Sequence, residues 1–349
     1  MLRKILTGLS LFVPLAGAAQ VRVDKLVFPP GTKYAEHYIV PVVSGVPTEV
    51  AGKINLAIQY SLLGLVPGHY RQPVFTEDDR LGGTTDLAFT VVRADSQVLT
   101  IDIEGSYLGA YSSVGHTWMS FDLHDGQIIA ASDILTPAGI ERSKKAVDKA
   151  LLAGIRKTIA HPDALRTAPG SEDDLKTQRD AYASCARDLG NSNGDTGFEL
   201  KEDLVVTRSC DFPHVILALD DLGEVAWKAS YASLGDQLTP YGRCVLVEKG
   251  EHCARATVSP MAGVWRGTIG KGSAITFIAM DGGLTYFYDR IGTGISLRQQ
   301  ESPSGHWVLN RIDEKGSVAE TFDLVAAPTA GFTGTWKQVG KDALPVVLR

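Results

Sequence analysis

Two runs of the sequence come close to the motifs of nucleophilic and phosphate-binding sites. Ser112 and Ser113 precede Val114-Gly115, which approaches a G-x-S-x-G elbow, but Tyr111 stands where the first glycine belongs. The elbow also needs a strand followed by a helix, and a strand is predicted to follow here. Residues 270–273 (GKGS) resemble the end of a phosphate loop. The first glycine of that motif is replaced by Trp265, and no helix is predicted to follow. We therefore predict no catalytic residue in either run and interpret the second as a hairpin turn.

A metal site is the second kind of chemistry that the residue types allow. His116, Asp122 and His124 could converge as ligands, because alternate residues of a strand share a face. A surface histidine beside a turn-capping aspartate is the commoner arrangement, and the sequence contains no H-E-x-x-H. Acidic pairs such as Asp173-Asp174 are interpreted as solvated surface. The prediction is therefore no metal and no cofactor.

The cysteines indicate structure rather than chemistry. The sequence contains four, at Cys185, Cys210, Cys244 and Cys253, without a C-x-x-C pair. In an oxidising compartment they predict two disulfides, for which three connectivities exist. Pairing between near neighbours closes the shortest loops and is the favoured connectivity.

Residues 20–255 mix strands with helices and are predicted to form an α+β domain. Helices are expected over residues 50–63, from Pro137 after a cap at Thr136, and from Ser171, where acidic residues favour the start of a helix. Residues 191–197 (NSNGDTG) are predicted to form a loop. Strands are predicted at residues 37–43, 86–93, 97–107, 116–123, 127–131, 204–207, 215–219 and 224–229.

Residues 256–349 lose the helical periodicity and are predicted to form a separate, small antiparallel β domain, either a barrel or a sandwich. Trp265, Trp307 and Trp336 are expected to fill its core. Glycine pairs and short polar clusters separate eight predicted strands, at residues 264–269, 274–280, 284–288, 294–300, 306–311, 318–324, 332–337 and 344–348.

The beginning of the chain has the pattern of a signal peptide. Arg3 and Lys4 precede a short apolar run, and Ala16-Gly17-Ala18 is a cleavage signal, so residues 1–19 are predicted to be removed. The apolar run is too short for a transmembrane span of about 20 residues. The mature chain is therefore expected to be periplasmic or secreted, without a transmembrane anchor.

The charge excludes one class of partner. The whole sequence has 34 Lys and Arg against 40 Asp and Glu, a net charge of −6. Residues 20–255 carry −9 of this, and residues 256–349 carry +1. A nucleic-acid partner is not expected, because such proteins normally present a basic surface.

The first predicted domain resembles a known family. Residues 98–135 form a strand ending in Ser-Tyr, a glycine-containing loop, a strand ending in Phe-Asp-Leu, an Asp-Gly turn and Ser-Asp-Ile-Leu. This order resembles the DUF3298, or RsiV-like, extracytoplasmic domain. The helix that contains Ile54-Asn55 resembles the segment that precedes this core. The segment FELKEDLVVTRSC, followed by HVILALDDLGEVAWKASYASL, resembles its closing strands. The resemblance covers roughly residues 35–240.

The resemblance implies an α+β ectodomain on the outer side of the membrane. Some members of the family are anti-sigma factors that sense lysozyme by binding it, and others accompany a polysaccharide deacetylase domain. This sequence has neither a sigma-binding segment nor a deacetylase domain, so signalling and deacetylation are not expected. The family loop usually reads Tyr-x-Gly-Gly-Ala-His. Tyr107, Gly109 and Ala110 match it, but Tyr111 replaces the histidine.

The predicted function is that of an exported cell-envelope binding protein without catalytic activity. The predicted partner is lysozyme, a similar cationic protein or another envelope component. The alternatives are an envelope glycan hydrolase, a deacetylase-associated protein, or small-ligand binding by the C-terminal domain. The predicted binding residues are Tyr107, Tyr111, His116 and Trp118, since tyrosine and tryptophan are common interface anchors. Trp118 in particular could instead be buried in the sheet.

Overall fold

The computed structural model describes residues 20–30, 36–68, 83–108, 112–161, 171–189, 196–210, 212–255, 262–280, 283–300, 305–327 and 331–349. The predicted signal peptide, Tyr111 and most of the loop predicted at residues 191–197 lie outside these residues. Among the described residues, no helix is both long enough and apolar enough to span a bilayer.

Strands and helices alternate in the first part of the chain, up to residue 255. Its strands are β1 (Arg22–Lys25), β2 (Pro41–Ser44), β3 (Thr84–Ala94), β4 (Val98–Leu108), β5 (Ser112–Asp122), β6 (Thr196–Leu200), β7 (Leu204–Arg208) and β8 (Val225–Ala229). Its α-helices are α1 (Thr48–Leu63), α2 (Ala131–Ile134), α3 (Pro137–Ala160), α4 (Glu172–Asp188), α5 (Tyr231–Leu234) and α6 (Pro240–Arg243). Short 3-10 helices span His214–Leu219 and Gly235–Gln237, and a π-helical turn spans Cys244–Glu248.

Helices α3 and α4 begin where their capping residues predict. The Thr136 hydroxyl accepts the Gly139 N–H at 3.1 Å, and α3 starts at the next residue, Pro137. Ser171 and Asp174 form a reciprocal capping box at the start of α4. Both predicted helix starts are therefore confirmed.

Three small antiparallel sheets make up the first part: β1–β2, β3–β4–β5 and β6–β7–β8. Helix α1 and the β3–β5 sheet contribute to one apolar core, in which Ile54, Ile101 and Phe121 are completely buried. The β6–β8 sheet contacts the opposite face of the β3–β5 sheet, where the Thr100 hydroxyl donates to the Leu200 carbonyl at 2.7 Å. The β3–β5 sheet is thus covered on one face and partly covered on the other.

The last part of the chain is a closed antiparallel barrel of eight strands in sequence order, as predicted. Trp307 and Trp336 are buried in its interior, and the half-buried Trp265 packs edge-on against Phe332. The α+β fold class with a β-barrel is therefore confirmed. The strands are β9 (Gly263–Ile269), β10 (Ser273–Met280), β11 (Gly283–Tyr288), β12 (Ile295–Gln300), β13 (His306–Ile312), β14 (Val318–Ala326), β15 (Phe332–Gln338) and β16 (Leu344–Leu348).

The barrel packs against the first part through buried contacts. The Gln127 side chain donates to the Val264 carbonyl at 2.8 Å and accepts the Val264 N–H at 2.7 Å. Val264, Ile278 and Phe287, on the outside of the barrel, belong to the same apolar core as α1. The first part and the barrel therefore share an apolar interface, and the division at residues 255 and 256 stays a prediction.

Several strand predictions in the first part were wrong. Residues 215–219 lie in the 3-10 helix His214–Leu219, where local bonds such as Ile216 N–H to the Pro213 carbonyl replace strand pairing. Helix α4 holds its end, since the Gln178 amide donates to the Leu219 carbonyl at 2.8 Å. The predicted strand 127–131 is reduced to a bridge between Ile128 and Phe121. The strand cannot continue because helix α2 begins at Ala131, where the Asp133 carboxylate accepts the Ala130 N–H. The strand predicted at 37–43 is found at Pro41–Ser44. The strand β6 was not among the strands predicted from alternation, although its residues 198–200 belong to the segment FELKEDLVVTRSC that resembles the closing strands of the family.

Candidate functional site

The hairpin of β4 and β5 carries three of the four predicted binding residues, Tyr107, His116 and Trp118. Its register is regular from Val98 opposite Asp122 to Leu108 opposite Ser112. The strand β5 starts at Ser112, so the connecting loop is shorter than predicted. Because side chains alternate between the two faces of a strand, residues with even numbers in both strands share what we call the outer face.

The central feature of the outer face is a pair of rings. The His116 and Trp118 rings lie nearly parallel, with 5.7 Å between their centroids and 13° between their planes. The Asp102 carboxylate, on the neighbouring strand, lies 3.1 Å from Nδ1 of His116. Glu104 lies directly opposite His116 and is exposed. Two carboxylates and two rings therefore lie side by side at one place on the sheet.

The Trp118 ring is held in place by packing against β6. A Cβ atom on Gly197 of β6 would lie 3.5 Å from the Trp118 ring, so the indole packs closely over that glycine. The ring is half-buried, and its Nε1 atom is buried without a hydrogen-bond partner among the described residues. Trp118 is therefore both a packing residue and an edge of the exposed surface.

Tyr107 lies on the opposite, inner face of the sheet. A Cβ atom on Gly105 would lie 2.5 Å from the Tyr107 hydroxyl, which places the ring flat against that glycine. The structure thus brings His116 and Trp118 together and separates them from Tyr107. It does not describe Tyr111.

A shallow depression of about 280 Å³ lies at the tip of the hairpin. Two exposed aliphatic side chains, Leu108 and Val114, lie at its rim, with 60% and 62% of their surface accessible. Thr85, Ser106, Tyr107 and Ser113 complete the lining. The tip therefore presents apolar surface next to the ring pair.

The metal hypothesis does not match the positions of its three residues. His116 and Asp122 are six residues apart on one extended strand, which corresponds to about 20 Å. His124 interacts with Asp122 instead, with 3.2 Å between Nδ1 and Oδ1. Among the described residues, no group of three His, Cys, Asp or Glu side chains could hold a metal ion.

A buried charge cluster, which the sequence did not reveal, lies at the other end of β5. The Arg255 guanidinium lies over the Tyr241 ring and within 3.7 Å of carboxylate oxygens of Asp122, Asp125 and Asp133. The Tyr241 hydroxyl donates to Asp122 at 2.7 Å, and burial raises the pKa of Tyr241. Because Arg255 forms its ion pairs with carboxylates of the same chain, we interpret the cluster as a structural link next to the barrel.

The cysteines form the two near-neighbour disulfides, Cys185–Cys210 and Cys244–Cys253. A cleft of about 430 Å³ lies beside the first of them, with Leu189 and Phe212 among its apolar walls. Its buried Arg208 is engaged by Asp148 at 2.7 Å. The charge of Arg208 is therefore already paired within the chain.

Comparisons with known proteins found similar solved structures but no matching family model and no curated relative. A DUF3298 family protein of Pseudomonas aeruginosa has a similar solved structure, with 14% identity and a TM-score of 0.38, over 63% of this chain and 94% of that one. A DUF3298 member from Bacteroides fragilis matches with 15% identity and a TM-score of 0.38, over 64% of this chain and 95% of that one. Both carry the name of the family that the sequence resembles.

Proposed function

We propose that this chain is an exported cell-envelope binding protein, and that the outer face of β4 and β5 binds a cationic protein of the lysozyme class. The observation that carries the proposal is the stacked His116–Trp118 pair beside Asp102 and Glu104. Aromatic rings are frequent interface anchors, and neighbouring carboxylates can receive lysine or arginine side chains.

The local charges favour a basic partner. Glu104 has no ion-pair partner among the described residues, and Asp102 is paired there only with His116. The net charge of −9 over residues 20–255 acts in the same direction. Such a charge attracts a basic protein through water, and the attraction is screened by salt over about 8 Å at physiological ionic strength.

Two features support export. The pattern of residues 1–19 is that of a signal peptide, and both disulfides need an oxidising compartment. Protein prepared from the periplasm should therefore contain no free thiol. Thiol titration in denaturant without reductant tests this, and two or more free thiols per chain would contradict it.

Binding is tested by calorimetry of the mature protein with c-type lysozyme at low and at high salt. We expect binding at low salt that weakens as salt rises. Lysozyme with succinylated lysines is the matched control, because its charge is reversed, and it should not bind. If native lysozyme gives no binding at low salt, the partner class is wrong.

A further inference from the structure

The strand β5 has an open edge beside the proposed binding face. It is the last strand of the β3–β4–β5 sheet, and among the described residues only its C-terminal end forms main-chain hydrogen bonds on the side away from β4. There the Ile129 N–H donates to the Ser120 carbonyl at 2.8 Å, and the Asp122 N–H donates to the Gln127 carbonyl at 2.9 Å. These bonds show that the main-chain groups of Ser120 and Asp122 point away from β4.

The same direction applies further along β5. Main-chain groups alternate between the two sides of a strand, and the pairing of β4 with β5 is free of irregularity. The N–H and C=O groups of Val114 and His116 therefore also point to the open edge. Among the residues that the structure describes, no hydrogen bond reaches these main-chain groups.

This edge lacks the usual protection against pairing. Open edges in proteins commonly carry lysine, proline or a bulge. Other edge strands of this protein carry such features: β8 contains Lys228, and β1 (RVDK) contains Lys25. The edge of β3 is partly occupied, because Leu87 exchanges main-chain hydrogen bonds with His37 and Ile39. Residues 112–117 of β5 read SSVGHT and have no bulge.

We propose that this open edge binds an extended segment of the cationic partner as an additional strand, with lysine or arginine at alternate positions over the outer face. The inference rests on the proposed function for the charge of the partner. Main-chain pairing would supply binding energy, and side chains at every second position would supply specificity.

Charge complementarity selects this occupant. An added strand would lie about 4.8 Å beyond β5, so a long basic side chain opposite His116 could reach across it towards Glu104. Its aliphatic part would pack on Val114 and on the ring pair, as the stems of lysine and arginine commonly do. A second copy of this chain would instead bring another acidic surface to the same place.

The probe for the edge is a hexapeptide of alternating lysine and valine, acetylated and amidated at its ends. Amide hydrogen exchange of the mature protein is recorded by NMR with and without the peptide. We expect exchange at the N–H groups of Val114 and His116 to slow by about tenfold or more when the peptide is bound. The same sequence with glutamate for lysine should leave exchange unchanged. Unchanged exchange at a saturating concentration of the lysine peptide would overturn the inference.

A pair of variants isolates the main-chain bond. Val114→Pro removes an N–H that points to the open edge, a position at which proline is tolerated, and Val114→Ala keeps it. We expect the proline variant to bind the peptide and lysozyme about tenfold more weakly than the alanine variant, with equal melting temperatures. Equal affinities of two folded variants would contradict edge pairing. If Val114→Pro does not fold, the exchange measurement on the wild type decides alone.

The outcomes separate the two proposals. Lysozyme binding that is equal in both variants, without protection of Val114 and His116, overturns the added strand and leaves the proposed function intact. Protection by the peptide without any binding of lysozyme supports the strand and rejects lysozyme as the partner. A wild-type protein that sediments as a dimer, and a Val114→Pro variant that sediments as a monomer, would identify a second copy as the occupant and overturn the inference.

Discussion

The Nδ1 atom of His116 lies 3.1 Å from Oδ1 of Asp102 on the neighbouring strand, and this contact fixes the orientation of the ring that stacks on Trp118. The side chains of His116 and Asp102 are 40% and 21% exposed. The pair is therefore held by the sheet but remains open to a partner. Its position makes it the first target for substitution.

His116→Ala should weaken lysozyme binding by about 1–2 kcal/mol and leave the fold intact, because it removes an exposed ring from the interface. Calorimetry at low salt measures the loss. The matched control is His306→Ala, which removes a similar contact with Asp323 on the barrel. Equal affinities of the wild type and both variants would place the interface elsewhere.

Trp118 should affect stability more than His116 does. Trp118→Ala removes the ring that packs over Gly197 and should lower the free energy of unfolding by about 3 kcal/mol. Trp118→Phe keeps most of the packing and removes an Nε1–H that has no hydrogen-bond partner among the described residues, so its cost should be below about 1.5 kcal/mol. Urea unfolding measures both. A similar loss in the two variants would show that the Nε1–H has a partner.

Glu199 should make stability depend on pH. Burial raises the pKa of Glu199, while Lys201, 2.5 Å from its carboxylate, acts in the opposite direction. A carboxyl whose pKa is higher in the folded than in the unfolded state stabilises the fold at low pH. That contribution is lost as pH rises from the unfolded value of about 4.3 through the folded value. Glu199→Gln does not titrate, so its stability relative to the wild type should increase from pH 4 to pH 7. Denaturant unfolding at several pH values tests the sign, and a constant difference would contradict it.

The barrel strands could be predicted from the sequence because helical periodicity is absent there and glycine pairs or short polar clusters separate the β-rich runs. The face of Tyr107 could not be predicted in the same way. It follows from the register that places Tyr107 opposite Ser113, and the length of the intervening loop fixes that register. A loop longer or shorter by one residue would place Tyr107 on the same face as His116. The stacking of His116 and Trp118, two residues apart on one strand, needs only the alternation of side chains.

Long-range contacts account for the other differences. In the charge cluster, Arg255 contacts Asp122 and Asp133, which both lie more than a hundred positions before it in the sequence. The apolar run at residues 214–219 has the composition of a strand, but α4 hydrogen-bonds its end and it forms a 3-10 helix. No local pattern identifies such partners.

Gln127 should be important for the attachment of the barrel. Its buried amide bonds both the N–H and the C=O of Val264, and Gln127→Ala would leave these two groups unpaired. We expect a loss of about 1–3 kcal/mol for each group in the free energy of unfolding of the full chain. Gln299→Ala, at an exposed glutamine of β12, is the control and should be neutral. An equal effect of both substitutions would show that the contact is dispensable.

The segment of residues 256–349 should fold by itself, because the closed barrel surrounds its own apolar core around Phe277 and Phe322. Isolation also exposes Val264, Ile278 and Phe287, which the first part covers in the full chain. The separate barrel should therefore unfold in one cooperative transition, but at a lower denaturant concentration than in the full chain. Circular dichroism and tryptophan fluorescence during urea unfolding measure both properties. A gradual loss of signal without a transition would show that the barrel depends on the shared core, and that the boundary at residue 255 does not separate two folding units.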